Sequence, residues 1–354
     1  MTDNALTRSI LGCLLGAAAG DALGLPMEGL SAARRRRMFP EIVPYQLFLG
    51  RGMVSDDAEH LCLVAQALIS SGGDPDRFAK DLAWRLRWWI AALPAGIGLA
   101  TLRALIKLWL FFPAHKSGVF SAGNGPAMRA AIIGVVHTDD PARRRALCRL
   151  STRLTHTDPK AEHGAQAVAL AAAMSSRDRA DSGVFLAALE QELGPDAGEF
   201  LALASKAAES ASRGEETARF AESLGLGRGV TGYMHHTAPA VLHAWFRHPH
   251  DLPAALEEII RCGGDTDTTA SILGGIVGAN VGPEGVPREM RDRLWSWPYS
   301  VSWIETLGRA LAAAAASGRP AQAPGIFFPF ALARNLFFMG VVLAHGFRRL
   351  LPPY

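Results

Sequence analysis

Small residues recur every fourth position in two apolar segments, and this spacing constrains the fold more than any other feature of the chain. The positions are Gly12, Gly16, Gly20 and Gly24 in GCLLGAAAGDALG, and Ala270, Gly274 and Gly278 near the other end. Residues four apart lie on one face of an α-helix, so each segment would form a ridge without side chains. A helical glycine costs about 1 kcal/mol relative to alanine. The spacing therefore predicts two central helices in very close contact. That contact would offset the helix-propensity cost of the glycines.

Helical patterns also dominate the rest of the chain. Segments 160–175, 184–193 and 198–213 are rich in Ala, Leu, Glu and Lys, whereas alternating β-branched runs are scarce. Glycine or proline marks the breaks between helical segments, at 71–75, 93–96, 194–195 and 282–283. No fixed-period repeat is visible, which disfavours a solenoid. We expect an all-α fold, a single compact orthogonal bundle around the glycine-rich helices.

Composition limits the classes of partner. The 354 residues are 49% hydrophobic and 19% charged, as in a globular chain with a sizeable core. A net charge of +3, from 36 basic and 33 acidic residues, is far from the basic stripe typical of nucleic-acid binding. The arginine runs 34–37 and 143–145 are assigned no role, since such runs are typically solvated. Nucleic acid is disfavoured as a partner, and we expect a monomer.

The cysteines indicate a reducing compartment. Cys13, Cys62, Cys148 and Cys262 occur singly in or beside apolar segments, without CxxC spacing. Residues 10–13 resemble a lipoprotein cleavage box, but the apolar stretch before Cys13 is too short for an export signal. We interpret this segment as a helix and predict a cytoplasmic protein with reduced core cysteines.

Two acidic clusters stand at the starts of apolar helices, Ser55-Asp56-Asp57 and Asp265-Thr266-Asp267-Thr268. One such cluster is explained by helix capping, because carboxylates and hydroxyls accept the free backbone N–H groups there. Two clusters more than 200 positions apart suggest a shared cause. If they converge, the like charges require bound cations. All-oxygen ligands suit Mg²⁺ or Mn²⁺, and zinc is disfavoured without His or Cys ligands.

The C-terminal segment is the most apolar part of the chain. We divide the chain into a helical domain at 1–317, a linker at 318–325 and an apolar helical segment at 326–354. Arg334 and Asn335 leave apolar pieces shorter than the roughly 20 residues of a membrane span. We therefore predict no transmembrane span and a helix docked on the core. The alternative is a peripheral membrane contact through Phe327, Phe328, Phe337, Phe338, Arg348 and Arg349.

Six motifs in order resemble the ADP-ribosylglycohydrolase family, which includes dinitrogenase-reductase-activating glycohydrolases and ADP-ribosylarginine hydrolases. They are GCLLGAAAGDALGLPMEG, SDDAEH, SAGNGPAMRAA, LTHTDPKAEHGAQAVALA, GYMHHTAPAVLHAW and GGDTDTTASILGGIVGA, spanning roughly residues 8–290. The resemblance implies a compact all-α bundle with a dinuclear metal cleft. Family members hydrolyse the N- or O-glycosidic bond between ADP-ribose and arginine, serine or small molecules.

The resemblance also implies roles for individual residues. Two Mg²⁺ or Mn²⁺ ions would be held by Ser55, Asp56, Asp57, Asp265, Asp267 and Thr268, and would hold ribose hydroxyls and an attacking water. Substrate-binding positions would be Asp21, Gly123, Asn124, Gly125, His156 and Tyr233. Taken alone, GNG is a plain turn, and a lone His or Tyr is a core group. For Asp21, a structural role at helix termini is an equal alternative.

One departure from the family leaves the acid/base open. Many members carry an Asp-Ile-Gly turn, whereas this chain has Gly96 in place of the aspartate. In another branch the catalytic carboxylate lies in the segment that contains Glu28, which becomes the first candidate. Glu59, after the first metal cluster, is the second. The competing interpretations are a solvated loop residue for Glu28 and a helix-start anion for Glu59.

The predicted function is a metal-dependent hydrolase that removes ADP-ribose from a modified protein, with arginine as the favoured linkage. One alternative keeps the metals and changes the substrate to a free or nucleic-acid-linked ADP-ribosyl compound. Another is an ADP-ribose binding module or inactive relative. The complete set of metal-type ligands disfavours this last alternative, whereas the missing acid at Gly96 favours it.

Overall fold

The computed structural model describes residues 3–352. Residues 1–2, at the start of the predicted helical domain, and 353–354, at the end of the predicted C-terminal segment, lie outside the described residues. This part of the chain is mostly helical, with two short strands, so the all-α prediction is confirmed. The helices are α1 (Asp3–Gly24), α2 (Ala32–Met38), α3 (Asp56–Ser71), α4 (Pro75–Ala91), α5 (Leu99–Trp109), α6 (Ala131–Val136), α7 (Pro141–Arg153), α8 (Pro159–Ser175), α9 (Ser182–Leu193), α10 (Gly198–Ser212), α11 (Thr217–Ser223), α12 (Met234–Arg247), α13 (Leu252–Arg261), α14 (Thr266–Val281), α15 (Arg288–Arg293), α16 (Val301–Ser317) and α17 (Phe328–Arg348). Two short antiparallel strands, β1 (Leu30–Ser31) and β2 (Gly263–Gly264), pair with Leu30 opposite Gly264.

Helices α1 and α14 pack backbone against backbone at the centre of the bundle. A Cβ atom added at Gly16 would lie 2.3 Å from the carbonyl oxygen of Gly274, and one added at Gly274 would lie 2.2 Å from that of Gly16. At Gly12 the corresponding distance to the Gly278 oxygen is 2.0 Å. No side chain fits between the two helices at these positions. The close contact predicted from the glycine spacing is confirmed.

Many helices begin at an aspartate whose carboxylate accepts a backbone N–H from the first turn. The side chains of Asp74, Asp140, Asp158, Asp181 and Asp251 cap α4, α7, α8, α9 and α13 in this way. In four of the five, proline occupies one of the first two helical positions, where the missing N–H costs nothing. These local signals fix where the helices start. The four cysteines are buried and free, as predicted.

Helix α17 is continuous over 21 residues and includes Arg334 and Asn335. Both of these polar side chains are buried, because they lie on the side of the helix that faces the core. By length and composition alone, two helical stretches could cross a membrane: Asn4–Met27, wholly buried in the bundle, and Phe328–Arg348, 28% buried. Before α17, residues 318–327 carry no regular secondary structure.

A carboxylate-rich cleft at the ends of the central helices

A cleft of about 420 Å³ opens where the N-termini of α3 and α14 meet the end of α1. The hydroxyl of Thr266 donates to the carbonyl of Gly24 at 2.8 Å, which ties the start of α14 to the end of α1. Ten of the fourteen predicted site residues line the cleft: Glu28, Ser55, Asp56, Gly123, Asn124, Gly125, His156, Asp265, Asp267 and Thr268. The two acidic clusters are thus brought to one place.

Asp57 links the two clusters directly. Its Oδ2 atom accepts hydrogen bonds from the hydroxyl of Ser55 at 3.2 Å and from the hydroxyl of Thr268 at 3.1 Å. Ser55 also accepts from the backbone N–H of Asp57 and so caps α3. A single carboxylate therefore contacts hydroxyls from both clusters, although the clusters are more than 200 residues apart in sequence.

The acidic cluster carries uncompensated negative potential. Burial and neighbouring carboxylates raise the pKa of Asp56, Asp57 and Asp267 well above the ordinary aspartate value. The Oδ1 atoms of Asp57 and Asp267 are buried, and neither has a hydrogen-bond partner within residues 3–352. Orphaned buried carboxylate oxygens in such a field attract protons or cations. Within the same residues, no group of three His, Cys, Asp or Glu side chains is arranged to hold an ion as it stands.

Asp21 lies behind the cleft and does not line it. Its carboxylate is fully buried and accepts the backbone N–H groups of Ser55, at 2.9 and 3.0 Å, and of Ala58, at 3.0 Å. Burial raises the pKa of Asp21 to about 7, although these N–H groups oppose the shift. The carboxylate fixes the N-terminus of α3 and with it the orientation of the first cluster. This geometry favours the structural role over the substrate-binding one.

The GNG loop is shaped by contacts with two different partners. The amide nitrogen of Asn124 donates to Asp265 Oδ2 at 2.7 Å and to the hydroxyl of Thr237 at 3.0 Å. A Cβ atom on Gly123 would lie 3.0 Å from His156 Nε2, and one on Gly125 would lie 3.2 Å from His156 Cε1. The glycines therefore leave room for the imidazole beside the loop. Asn124 in turn fixes Asp265 of the second cluster.

His156 and Tyr233 differ in their relation to the cleft. Burial and the charge of Arg129 lower the pKa of His156 to about 3, so its ring is neutral. Its Nδ1 atom is 2.9 Å from the hydroxyl of Thr155. Tyr233 is not among the residues that line the cleft, and its phenol accepts a hydrogen bond from Lys160 at 3.1 Å. Only His156 of this pair faces the cleft.

The two candidate acid/base residues lie in opposite environments. Glu28 is exposed at the cleft rim, where desolvation by the walls and the charge of Asp265 raise its pKa and Arg349 opposes the rise. Glu59 is 1% exposed and does not line the cleft. Its carboxylate accepts from Arg334 at 2.6 Å and from the indole of Trp89 at 2.6 Å. The geometry therefore favours Glu28, because Glu59 is held in a buried ion pair.

Several lining residues had no signal in the sequence. Thr101, at the start of α5, and Phe338 and Val342 of α17 contribute to the walls. Gly96, with φ of +85°, lies beside Asp56, and a Cβ there would approach its Oδ1 to 3.4 Å. The participation of α17 could not be predicted because it depends on how a helix after an irregular segment docks. The ion pair between Arg334 and Glu59, which are 275 positions apart, also had no signal in the sequence.

These features define an all-α protein with a carboxylate-rich cleft at helix N-termini. The sequence profile of the ADP-ribosylglycohydrolase family matches residues 2–321. The chain therefore belongs to the ADP-ribosylglycohydrolase family, and the resemblance carried by the six motifs is confirmed. Helix α17 lies beyond the matched region.

Individual relatives agree with this assignment. An uncharacterized protein of Archaeoglobus fulgidus is 31% identical over 273 residues, covering 75% of this chain and 86% of its own. The ADP-ribosylhydrolase ARH3 of Gallus gallus is 26% identical over 329 residues, covering 78% and 86%. A solved structure described as an ADP-ribosylglycohydrolase-related protein complex superposes with a TM-score of 0.62 at 25% identity, covering 88% of this chain and 99% of that one.

Proposed function

We propose that the chain is a divalent-cation-dependent hydrolase that cleaves the glycosidic bond between ADP-ribose and a modified protein side chain. The observation that carries the proposal is the pair of buried carboxylate oxygens, on Asp57 and Asp267, without hydrogen-bond partners among the described residues. Asp267 lines a cleft whose volume suits a nucleotide-sized ligand, and Asp57 accepts hydrogen bonds from two other lining residues, Ser55 and Thr268. Family membership supports the ADP-ribosyl substrate class.

The donor set fits hard cations. Ser55, Asp56, Asp57, Asp265, Asp267 and Thr268 would hold two Mg²⁺ or Mn²⁺ ions, since all offer oxygen ligands. Such ions supply Lewis-acid stabilisation and a water of lowered pKa.

Glu28 is the proposed acid/base. The raised pKa of Glu28 keeps a larger protonated fraction near neutral pH than a free glutamate has, which suits protonation of a leaving group. Asn124 orients Asp265, and Gly123 and Gly125 leave backbone N–H groups open to an approaching phosphate. The apolar wall of Phe338 and Val342 excludes water from one side of the cleft.

The linkage is a choice between two classes. We retain arginine-linked ADP-ribose as the first substrate, with Glu28 and Asp56 as carboxylates that could face a guanidinium. Serine-linked ADP-ribose is the second candidate, favoured by Gly96. At that position a side chain would point toward Asp56 at the cleft wall, and this chain supplies no carboxylate there for a cationic group.

The test is turnover of arginine-, serine- and nucleotide-linked ADP-ribose with and without EDTA. Release of ADP-ribose from a protein-linked substrate, abolished by EDTA and restored by Mg²⁺ or Mn²⁺, is the expected result. Turnover of the nucleotide-linked compound alone would reassign the substrate. Binding of ADP-ribose without cleavage of any linkage would make the chain a binding module and overturn the proposal.

A further inference from the structure

The side of α17 that faces away from the core is apolar from end to end. Its exposed residues recur at helical spacing and form what we term the outer face: Phe330, Ala333, Leu336, Phe337, Gly340, Leu343, Ala344 and Phe347. Leu336, Leu343 and Phe347 are 57%, 54% and 69% exposed. Arg348, at the last turn, is the only exposed polar side chain in this helix. A continuous apolar surface of this length is unusual on a water-facing helix.

The polar side chains of α17 instead face the protein. Arg334 is 4% exposed and pairs with Glu59, while Asn335 donates to the carbonyl of Ala92 at 2.8 Å. His345 bonds to the carbonyl of Pro26 at 2.8 Å. A surface helix in water exposes polar and charged side chains on the side that faces away from the core. Since Phe338 and Val341 also pack against the core, α17 is apolar on both sides, and Arg348 is the polar side chain that it exposes.

Aromatic side chains widen the outer face at its first half. Trp297 is 50% exposed and packs at a tilt against Phe330, with ring centroids 4.8 Å apart. Trp295 is 45% exposed and packs edge-on against Phe337 at 5.8 Å. Exposed tryptophan and phenylalanine around an apolar helix are typical of segments that lie at a lipid–water boundary.

Arginines gather at the other end of the outer face. Arg34 of α2 donates to the carbonyl of Arg349, which brings α2 against the last turn of α17. Arg36 of α2 and Arg348 of α17 are both exposed. Among residues 3–352, none of the ion pairs involves Arg34, Arg36, Arg348 or Arg349. The end of the apolar face therefore carries several arginines, of which Arg349 has the Glu28 carboxylate as a neighbour.

We propose that the outer face of α17 docks on an anionic lipid bilayer, with the helix lying in the interfacial plane. The apolar side chains would enter the acyl boundary, and the arginines would meet lipid phosphates. Spanning the bilayer would instead require α17 to leave the core and strip Arg334 from Glu59, which costs more than surface docking. The cleft, to which α17 contributes Phe338 and Val342, would then open beside the membrane.

The test is flotation of the full chain with phosphatidylcholine vesicles and with mixed phosphatidylcholine–phosphatidylglycerol vesicles. We expect binding to the mixed vesicles that weakens as salt is raised. The double variant Leu336→Glu/Leu343→Glu should lose at least about 100-fold in affinity. Arg36→Gln/Arg348→Gln should lose about 30-fold, since each arginine near the surface contributes about fivefold. The matched control is Val184→Glu, a 57% exposed apolar residue on α9, which should bind as wild type does.

Three outcomes would overturn this inference. They are no binding to mixed vesicles, unchanged binding in Leu336→Glu/Leu343→Glu, and self-association that this variant disperses while vesicles are ignored, which would make the face an interface between copies. The proposed hydrolase activity is tested separately, because neither leucine lines the cleft. Turnover without vesicle binding would reject the docking surface alone, and vesicle binding without turnover would reject the hydrolase alone.

Discussion

Glu28 and Glu59 show how position decides the chemistry of one side-chain type. Glu28 stands at the cleft rim, where desolvation and a nearby carboxylate raise its pKa. For Glu59, burial also raises the pKa, but Arg334 and Trp89 hold the carboxylate through direct hydrogen bonds. A proton on Glu28 can reach a ligand in the cleft. The carboxylate of Glu59 is fully used in anchoring α17 to α3 and α4.

Replacement of Glu28 tests the assigned acid/base. Glu28→Gln should lower kcat on the preferred ADP-ribosyl substrate by about 10²- to 10⁴-fold, because the amide transfers no proton. Its melting temperature should stay at the wild-type value, since the side chain is exposed. Glu41→Gln, at another exposed glutamate, is the matched control and should retain wild-type turnover. Equal turnover in Glu28→Gln and wild type would remove Glu28 from the mechanism.

Replacement of Glu59 should act on stability. Glu59→Gln leaves Arg334 as a buried charge without its carboxylate, which should cost about 3–5 kcal/mol in the free energy of unfolding. Glu59→Gln/Arg334→Met should recover part of the loss, because it removes the unpaired charge. Urea unfolding of the two variants measures both quantities. A Glu59→Gln chain as stable as wild type would show that the pair does not hold α17 in place.

At the scale of elements, the contact between α1 and α14 decides where the acidic clusters lie. The two helices touch through backbone atoms at Gly12, Gly16, Gly274 and Gly278. This contact brings the end of α1 beside the start of α14, so Thr266 can bond to Gly24. A small change in helix separation would therefore be transmitted to the cleft, which lies at the end of both helices.

Adding one methyl group between these helices tests the contact. Gly16→Ala would place a Cβ atom 2.3 Å from a backbone oxygen of α14, which no side-chain rotation can relieve. We expect a loss of about 3 kcal/mol in the free energy of unfolding. Gly340→Ala is the control, because nothing lies within 4 Å of its added Cβ, and it should gain about 0.5–1 kcal/mol. Equal effects of the two substitutions in urea unfolding would contradict the close packing.

Sequence patterns predicted the elements that local chemistry encodes. The glycine spacing indicated the α1–α14 contact, and the hydroxyl-and-acid clusters marked the starts of α3 and α14. Contacts between distant side chains left no such trace. Asp21 holds α3, and Arg334 pairs with Glu59, only because the whole bundle brings them together. The apolar residues of α17 were visible in sequence, but which of them face outward depends on how Arg334 docks.

At the scale of the whole molecule, folding concentrates carboxylates at one point of a chain with a net charge of +3. Burial raises the pKa of Asp21 to about 7 and that of Asp57 and Asp267 well above the ordinary aspartate value. The metal-free folded chain therefore holds protons that the unfolded chain releases near about pH 4. Cations that take the place of these protons would stabilise the fold.

The pH dependence of stability follows from this difference in bound protons. Where the folded state holds more protons, the free energy of unfolding falls as pH rises. In EDTA we expect the free energy of unfolding of the wild-type chain, relative to that of Asp57→Asn/Asp267→Asn, to decline from about pH 6.5 to 8, since the histidines with lowered pKa values are the same in both chains and cancel. Saturating Mg²⁺ or Mn²⁺ should remove the decline. Urea unfolding of both chains across this range measures the difference, and a difference that rises with pH in EDTA would contradict the raised carboxylate pKa values.

The most direct test of the central claim, that distant aspartates meet around cations, is calorimetric titration of the EDTA-treated, dialysed chain with MgCl₂ or MnCl₂. The account predicts saturable binding of two ions per chain, and loss of that binding in Asp57→Asn/Asp267→Asn with the fold retained by circular dichroism. Absence of saturable binding to the wild-type chain, or unchanged binding in the double variant, would contradict it.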